Sequence, residues 1–327
     1  MTLDRYGRTI NYLRISLTDR CNLRCVYCMP ENITFRPRAE LLQNEELLRL
    51  IPLFAELLGF QKFRLTGGEP TLRENLVEIV GAIAQLPTVR DISLTTNGLL
   101  LPQLAVPLAA AGLQRVNISI DTLDPDKFKT LTRWGKVSEV WDGINAAAAA
   151  GLALKLNAVV VRGFNDQQDA IDLARLTLDF PWQIRFIEMM PFGDVAEFQQ
   201  ANTVSEAELL HTIGATLGTP TLLNQGQLDG EARLYRLPQA IGTLGFISPV
   251  SQPFCAACNR ARLTADGRLR LCLLRDHELD VLTPLRAGAT DAELKQLIEA
   301  AIWLKPWGHG LAEEEVPLNR VMSEIGG

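Results

Sequence analysis

The sequence predicts an α/β fold in which a parallel sheet curls into a partial barrel around a polar interior. Three observations predict it. Strand-like and helix-like segments alternate from about residue 10 to 190, which calls for right-handed crossovers and a parallel sheet. The strand candidates carry polar residues at alternate positions, so one sheet face is polar and cationic. Three unusual loops each follow a strand, at the rim where parallel barrels gather functional groups.

The strand candidates are N-Y-L-R-I-S-L (11–17), K-F-R-L-T (62–66), D-I-S-L-T (91–95), R-V-N-I-S-I (115–120), L-K-L-N-A-V-V-V (154–161) and Q-I-R-F-I-E-M (183–189). Helices are expected over 44–58, 73–85, 101–111, 137–150 and 167–178. Glu45 and Glu46 open the first, where acid opposes the helix dipole. Gly59, Gly112 and Gly151 stand where helices should stop.

The polar alternation decides between a flat sheet and a barrel. Arg14 and Ser16, Lys62, Arg64 and Thr66, Asn117, Ser119 and Asp121, and Lys155 and Asn157 share one face. Strands covered on both faces should read as apolar runs, and a lone buried charge costs several kcal/mol. A barrel turns the same residues toward a ligand cavity. Solvated edge charges would explain one such strand, not four.

Composition sets the outer bounds. At 327 residues and 47% hydrophobic, the chain can bury a large core as one domain or two. Its start, M-T-L-D-R-Y-G-R-T-I, is too charged for a secretory signal, and its most apolar stretch, 144–154, is too short to span a membrane. A cytoplasmic protein with reduced thiols is expected. The formal charge of −6 argues against an extended nucleic-acid surface, not against a small cationic pocket.

The six cysteines fall into two triplets. Cys21, Cys25 and Cys28 follow the first strand. Cys255 and Cys258 form a C-x-x-C pair, and Cys272 follows a hairpin turned at Ala265-Asp266-Gly267. Zinc wants four closed ligands, yet no histidine has a customary ligand spacing from either triplet. Zinc completed by His277 is the competing reading for the second triplet. Thiolates also select iron–sulfur clusters, where three cysteines leave one iron of a cubane open to a small molecule. The other rim loops are T-G-G-E-P (66–70), whose glycines allow close backbone approach and whose Glu69 is placed to accept hydrogen bonds, and T-T-N-G (95–98).

Cys21-x-x-x-Cys25-x-x-Cys28, with Tyr27 before the last cysteine, resembles the radical S-adenosylmethionine (SAM) signature, and G-G-E-P at 67–70 resembles that superfamily's second element. Over nearly its whole length the chain resembles the molybdenum cofactor biosynthesis protein A family, the GTP 3',8-cyclases. The matching stretches include L-R-I-S-L-T-D-R-C-N-L-R-C-V-Y-C-M-P, V-N-I-S-I-D, R-F-I-E-M-M, F-C-A-A-C-N-R-A-R-L and the terminal Gly326-Gly327. The resemblance implies a partial (β/α)6 TIM-like barrel over 1–215. A C-terminal domain over 216–327 would carry a second [4Fe–4S] cluster. SAM would bind the open iron of the first cluster and, on one-electron cleavage, give a 5'-deoxyadenosyl radical. That radical would take the 3' hydrogen of GTP, and C3' would attack C8 to give 3',8-cyclo-7,8-dihydro-GTP.

The resemblance also assigns residues. Cys21, Cys25 and Cys28 would hold one cluster, and Cys255, Cys258 and Cys272 the other. Tyr27, Gly68, Ser119 and Met190 match SAM-contacting positions. Arg14, Arg64, Thr95, Lys155, Arg260 and Arg262 match GTP-contacting ones, and a triphosphate needs such a concentration of cations. Gly326 and Gly327 would enter the pocket and assist catalysis. The implied partners are GTP, an electron donor, a downstream cyclic pyranopterin monophosphate synthase and a second copy of the chain, with no nucleic acid or membrane. Two other readings compete: another twin-cluster radical SAM enzyme acting on a peptide, and a zinc-stabilised binding protein without turnover. The stretch from about 215 to 240 shows no motif.

Overall fold

In the computed structural model, which describes residues 2–193, 196–311 and 316–326, the six expected strands form one continuous parallel array. They are β1 (Tyr12–Ser16), β2 (Lys62–Thr66), β3 (Asp91–Thr96), β4 (Arg115–Ser119), β5 (Ala153–Val160) and β6 (Gln183–Glu188). Helices return the chain between them: α1 (Asn44–Pro52), α2 (Leu76–Ala84), α3 (Leu101–Ala110), α4 (Pro125–Thr132), α5 (Val137–Ala149) and α6 (Gln168–Asp179). After α7 (Ala196–Ala201) and α8 (Glu206–Leu217) come β7 (Thr221–Leu222), β8 (Arg233–Arg236), β9 (Thr243–Ile247), β10 (Arg260–Leu263), β11 (Arg268–Arg270) and β12 (Glu278–Asp280). Helices α9 (Leu282–Arg286), α10 (Asp291–Trp303) and α11 (Met322–Ile325) follow.

The later strands join the same sheet at both edges. Its order is β12-β11-β10-β1-β2-β3-β4-β5-β6-β9-β8-β7. β10 lies parallel to β1, and β9 parallel to β6, so the parallel array runs from β10 round to β9. A short hairpin pairs Thr2–Leu3 with Thr9–Ile10.

Side-chain alternation separates two environments. Leu13 and Ile15, Phe63 and Leu65, Ile92 and Leu94, Val116 and Ile118, and Ile184 and Phe186 are buried in one apolar cluster. The same cluster takes Leu47 and Leu50 of α1, Ile79 and Ile83 of α2, Leu108 of α3 and Ile144 of α5. Each fully buried Leu, Ile or Phe contributes about 1.5–3 kcal/mol relative to exposure, which fixes the register of every strand. The residues between them face the interior. Arg262 pairs in register with Arg14, and Arg14 with Arg64.

Two helices differ from the sequence expectation. The first ends at Pro52, which has no N–H, and the chain runs on through a wider π turn, Leu53–Leu57. The second begins at Leu76 rather than residue 73, because Glu69 caps a separate 3-10 turn, Pro70–Leu72. Among the described residues no helix is long and apolar enough to cross a membrane.

Candidate active site

The polar faces enclose a cavity of ≈ 300 Å³ lined by all six cysteines. Topology places the triplets at its two ends. Cys21, Cys25 and Cys28 follow the C-terminal end of β1. Cys255 and Cys258 precede β10, which runs parallel to β1, and Cys272 follows β11, which runs back antiparallel. The second triplet therefore sits at the N-terminal ends of the strands that carry the first at their C-terminal ends. Arg14, Arg64, Arg185, Arg260 and Arg262 line the cavity between them, and each is less than a tenth exposed.

The first cysteine loop is braced by the other two rim loops. An added Cβ at Gly68 would stand 2.3 Å from the Arg20 carbonyl oxygen, and one at Gly67 2.6 Å from that of Thr18. Close approach is indeed what these glycines permit, but here the approaching group is the cysteine loop itself. Gly68 N–H donates to Thr18 O at 2.7 Å, and Glu69 N–H to Arg20 O at 2.7 Å. The buried Glu69 carboxylate accepts from Thr71 N (3.1 Å), Thr71 Oγ1 (2.5 Å), Thr96 Oγ1 (2.6 Å) and Asn97 N (2.8 Å). Asn97 Nδ2 then donates to Asn22 Oδ1 at 2.7 Å, between Cys21 and Leu23. Tyr27 donates from its hydroxyl to Asp121 at 2.6 Å, and its carbonyl accepts from Gln199 at 2.9 Å.

The second triplet has cationic support. Lys305 is buried and donates from Nζ to the carbonyls of Arg260 and Leu271. Arg8 donates to the Cys255 carbonyl at 2.7 Å and to Trp307 and Pro306 carbonyls at 2.8 and 2.7 Å. Burial opposes the Cys258 thiolate, yet Lys305, Arg260 and Arg8 together hold its pKa below the usual thiol value. His277 is exposed and lies outside the cavity lining, which removes the fourth ligand considered for zinc.

The remaining sequence-selected residues divide. Tyr27, Gly68, Thr95, Ser119 and Met190 line the cavity, and Met190 also packs beside Phe192, Leu274 and Ile325. Lys155 stands outside the lining, with Nζ 2.7 Å from Asp229. Lys62 is exposed at the start of β2, outside the cavity. Met322 and Ser323 of the tail line the cavity, Ile325 is buried, and the Gly326 carbonyl accepts from Arg262 Nη1 at 3.0 Å. Gly327 lies outside the described residues.

The Radical SAM superfamily pattern matches residues 15–175, and the Molybdenum Cofactor Synthesis C pattern residues 182–311. A GTP 3',8-cyclase of Desulforamulus reducens is 46% identical over 327 residues, covering 99% of this chain and 100% of the relative. One of Gloeobacter violaceus is 47% identical, covering 98% and 99%. The chain belongs to the GTP 3',8-cyclase family. Among solved structures, Streptococcus suis SuiB bound to precursor peptide SuiA matches with TM-score 0.60 at 14% identity, over 91% of this chain and 66% of that one. Methylornithine synthase (PylB) matches at 0.51 with 18% identity, over 63% and 62%. These two likenesses speak to fold alone, that of radical SAM α/β partial barrels.

Radical SAM GTP 3',8-cyclases use SAM and two [4Fe–4S] clusters, and the donors present here suit that set. Each triplet offers three free thiols, and among the described residues no three Cys, His, Asp or Glu converge on a single ion. A cubane takes its thiolates at separate iron corners and accepts such a triplet. Burial lifts the Cys21 thiol to about 11 and the Cys28 thiol to about 12, and raises Cys25 as well, with neighbouring thiols and Asp121 adding to Cys25 and Cys28. Bound cluster iron would supply the positive charge that favours these thiolates, with release of protons. Thr95 Oγ1 and Asn157 Oδ1 are buried in the cavity wall without a hydrogen-bond partner, as acceptors and donors awaiting a polar ligand are.

For a member of this family the site also holds residues that the sequence reading passed over. Arg185 on β6 is 2% exposed and continues the Arg14–Arg64 face, on the same alternation that revealed its neighbours. Glu231, from the stretch without a motif, pairs with Arg14 and lies 3.7 Å from both Arg64 and Arg260. His309 lines the cavity with its buried Nε2 unpartnered.

Proposed function

We propose that this chain catalyses the radical SAM-dependent cyclisation of GTP to 3',8-cyclo-7,8-dihydro-GTP, the first step of molybdenum cofactor biosynthesis. The observation that carries the reading is the arginine cluster between two cysteine triplets in one cavity. A cluster held by Cys21, Cys25 and Cys28 would supply one-electron cleavage of SAM, and one held by Cys255, Cys258 and Cys272 would supply an iron free to bind substrate.

The chain's own residues bind, orient and exclude water. Arg14, Arg64, Arg260 and Arg262 present guanidinium forks to the triphosphate, with Lys155 at the margin, and Thr95 contributes its free hydroxyl. A fork takes phosphate oxygens in pairs, which fixes position as well as charge. Tyr27, Gly68, Ser119 and Met190 bound the SAM side. Gly326, held by Arg262, brings side-chain-free backbone next to the reacting ribose, and Gly327 is assigned to catalysis with it. In this reading residues 1–215 supply the six central strands of the catalytic barrel, and 216–327 extend its sheet and bring the second triplet, two arginines and the tail. The enzyme works in the cytoplasm as a homodimer, takes electrons from a separate donor and passes its product to cyclic pyranopterin monophosphate synthase.

Anaerobic reconstitution followed by incubation with SAM, GTP and reductant tests it. The proposal expects about eight irons per chain and the cyclised product. One or two zincs and no visible absorbance would leave only a binding protein, and SAM cleavage without GTP conversion would point to a different substrate.

A further inference from the structure

The segment without a motif ends in a turn that reaches into the arginine cluster. Asp229 and Ala232 exchange backbone hydrogen bonds of 2.9 and 3.1 Å, closing the turn. At its tip Glu231 is 5% exposed, paired with Arg14 and 3.7 Å from Arg64 and Arg260. Two residues earlier, Asp229 accepts from Lys155 Nζ at 2.7 Å and Gln183 Nε2 at 3.2 Å, and lies 3.6 Å from Arg185. Two carboxylates thus engage five cations, four of which, Arg14, Arg64, Arg260 and Lys155, the proposed function assigns to the triphosphate or its margin. The outer part of the segment is anchored lightly. Asn224, Gln225 and Gln227 are exposed, and Asn224 and Gln225 both sit at φ 52°, in the left-handed region that Asn tolerates and Gln does not favour.

We propose that Asp229 and Glu231 are a built-in stand-in for polyphosphate: the turn covers the phosphate cations in the free protein and leaves when a sufficiently charged phosphate chain arrives. The inference rests on the reading of this cavity as a GTP site. Its logic is charge and geometry. An arginine fork cannot serve a carboxylate and a phosphate at once, and a carboxylate left beside a bound phosphate would repel it. Burial opposes the charge on Glu231, yet Arg260, Arg14 and Arg64 hold its pKa well below the usual range, so it occupies the cluster as an anion. Without it the buried guanidiniums would face one another unpaired, which is costly. A triphosphate carries more charge than the two carboxylates it replaces, whereas a monophosphate does not. The turn therefore selects for phosphate-chain length as well as shielding the empty site.

The test is hydrogen exchange on the cluster-loaded full chain with GTP, with inorganic tripolyphosphate and with GMP, joined to calorimetry of Glu231→Gln. Amides of 224–232 should exchange on the order of tenfold faster with GTP or tripolyphosphate and stay unchanged with GMP. Glu231→Gln should bind tripolyphosphate on the order of tenfold more tightly and narrow the GTP-to-GMP preference. Slower exchange of the turn with GTP, or weaker tripolyphosphate binding by Glu231→Gln, would overturn the inference, since the carboxylate would then remain as part of the bound site. Should that variant fail to fold, exchange on the unaltered chain decides alone. Absence of GTP and tripolyphosphate binding to the unaltered chain overturns the substrate reading itself, and this inference with it.

Discussion

Arg262 Nη1 donates to the Gly326 carbonyl at 3.0 Å, tying a cavity arginine to the end of the chain. The approach is close on the other side as well: a Cβ on Gly326 would stand 2.6 Å from Thr66 Cγ2 and 3.2 Å from Ser16 Cβ. With φ at +68°, the residue also occupies the left-handed region. The terminal α11 is thereby docked against the strand ends that carry the rim loops.

Gly326→Ala should therefore displace the tail while leaving the rest of the protein intact. Gly326 has no side chain whose burial would be lost, and the buried Ile325 before it keeps its own contacts with Phe192 and Leu274. Cyclisation should fall on the order of a hundredfold, the scale of a misplaced active-site group. Iron content and melting temperature should hardly change. Product formation at the normal rate, by this variant or by the chain lacking both glycines, would mean that the double glycine has no part in catalysis.

Cys25→Ala addresses the first triplet. Two thiolates hold a cubane poorly, so reductive SAM cleavage should vanish while the second triplet retains about half of the iron. Undiminished 5'-deoxyadenosine formation in the variant would contradict the assignment.

Replacing Arg260 and Arg262 together by alanine should weaken GTP far more than SAM. A hydrogen bond to a charged group contributes about 1.5–3 kcal/mol, so losing two independent ones weakens GTP by at least about a hundredfold. Calorimetry with GTP and with guanosine checks this: the intact protein should prefer GTP strongly, and equal affinity would rule out a triphosphate site.

Lys155 gives a pH signature. Burial first, then Arg185, brings its pKa down to about 8, with Asp229 pulling the other way. A bound triphosphate favours the protonated form, so GTP affinity should be full near pH 7 and decline as pH rises past 8. Lys155→Met should flatten that decline. The effect on folding has the opposite sense: the unfolded lysine keeps its proton to about 10.4, so between pH 8 and 10 this residue's linkage raises stability. GTP titrations at several pH values, with urea unfolding alongside, separate the two, and a GTP affinity independent of pH in this range would exclude Lys155 from the phosphate site.

The parts legible in the sequence were those with local periodicity or local spacing. Arg14 and Ser16 against Leu13 and Ile15 already mark a strand with one polar face, and the structure keeps that division. The cysteine triplets, the G-G-E-P turn and the hairpin at Asp266 are likewise short-range patterns. What stayed hidden depends on distant pairing. Nothing in T-L-G-F-I says that β9 will lie against β6, or that β10 will lie against β1 from 248 residues away (Tyr12 against Arg260). Glu231 belongs to the same class, since its partners come from β1, β2 and β10 and its own turn carries no periodic signal. Arg185 is different: it shares a face with Gln183, alternates with the buried Ile184 and Phe186, and is within reach of the rule that finds Arg14.

In the proposed function, one cavity brings SAM-derived radical chemistry to the ribose of GTP. Following deuterium from [3'-²H]GTP into 5'-deoxyadenosine, in the reconstituted and reduced protein, tests it most directly. The 5'-deoxyadenosine should carry the label and form in step with 3',8-cyclo-7,8-dihydro-GTP. Unlabelled 5'-deoxyadenosine, released at the same rate with and without GTP, would contradict it.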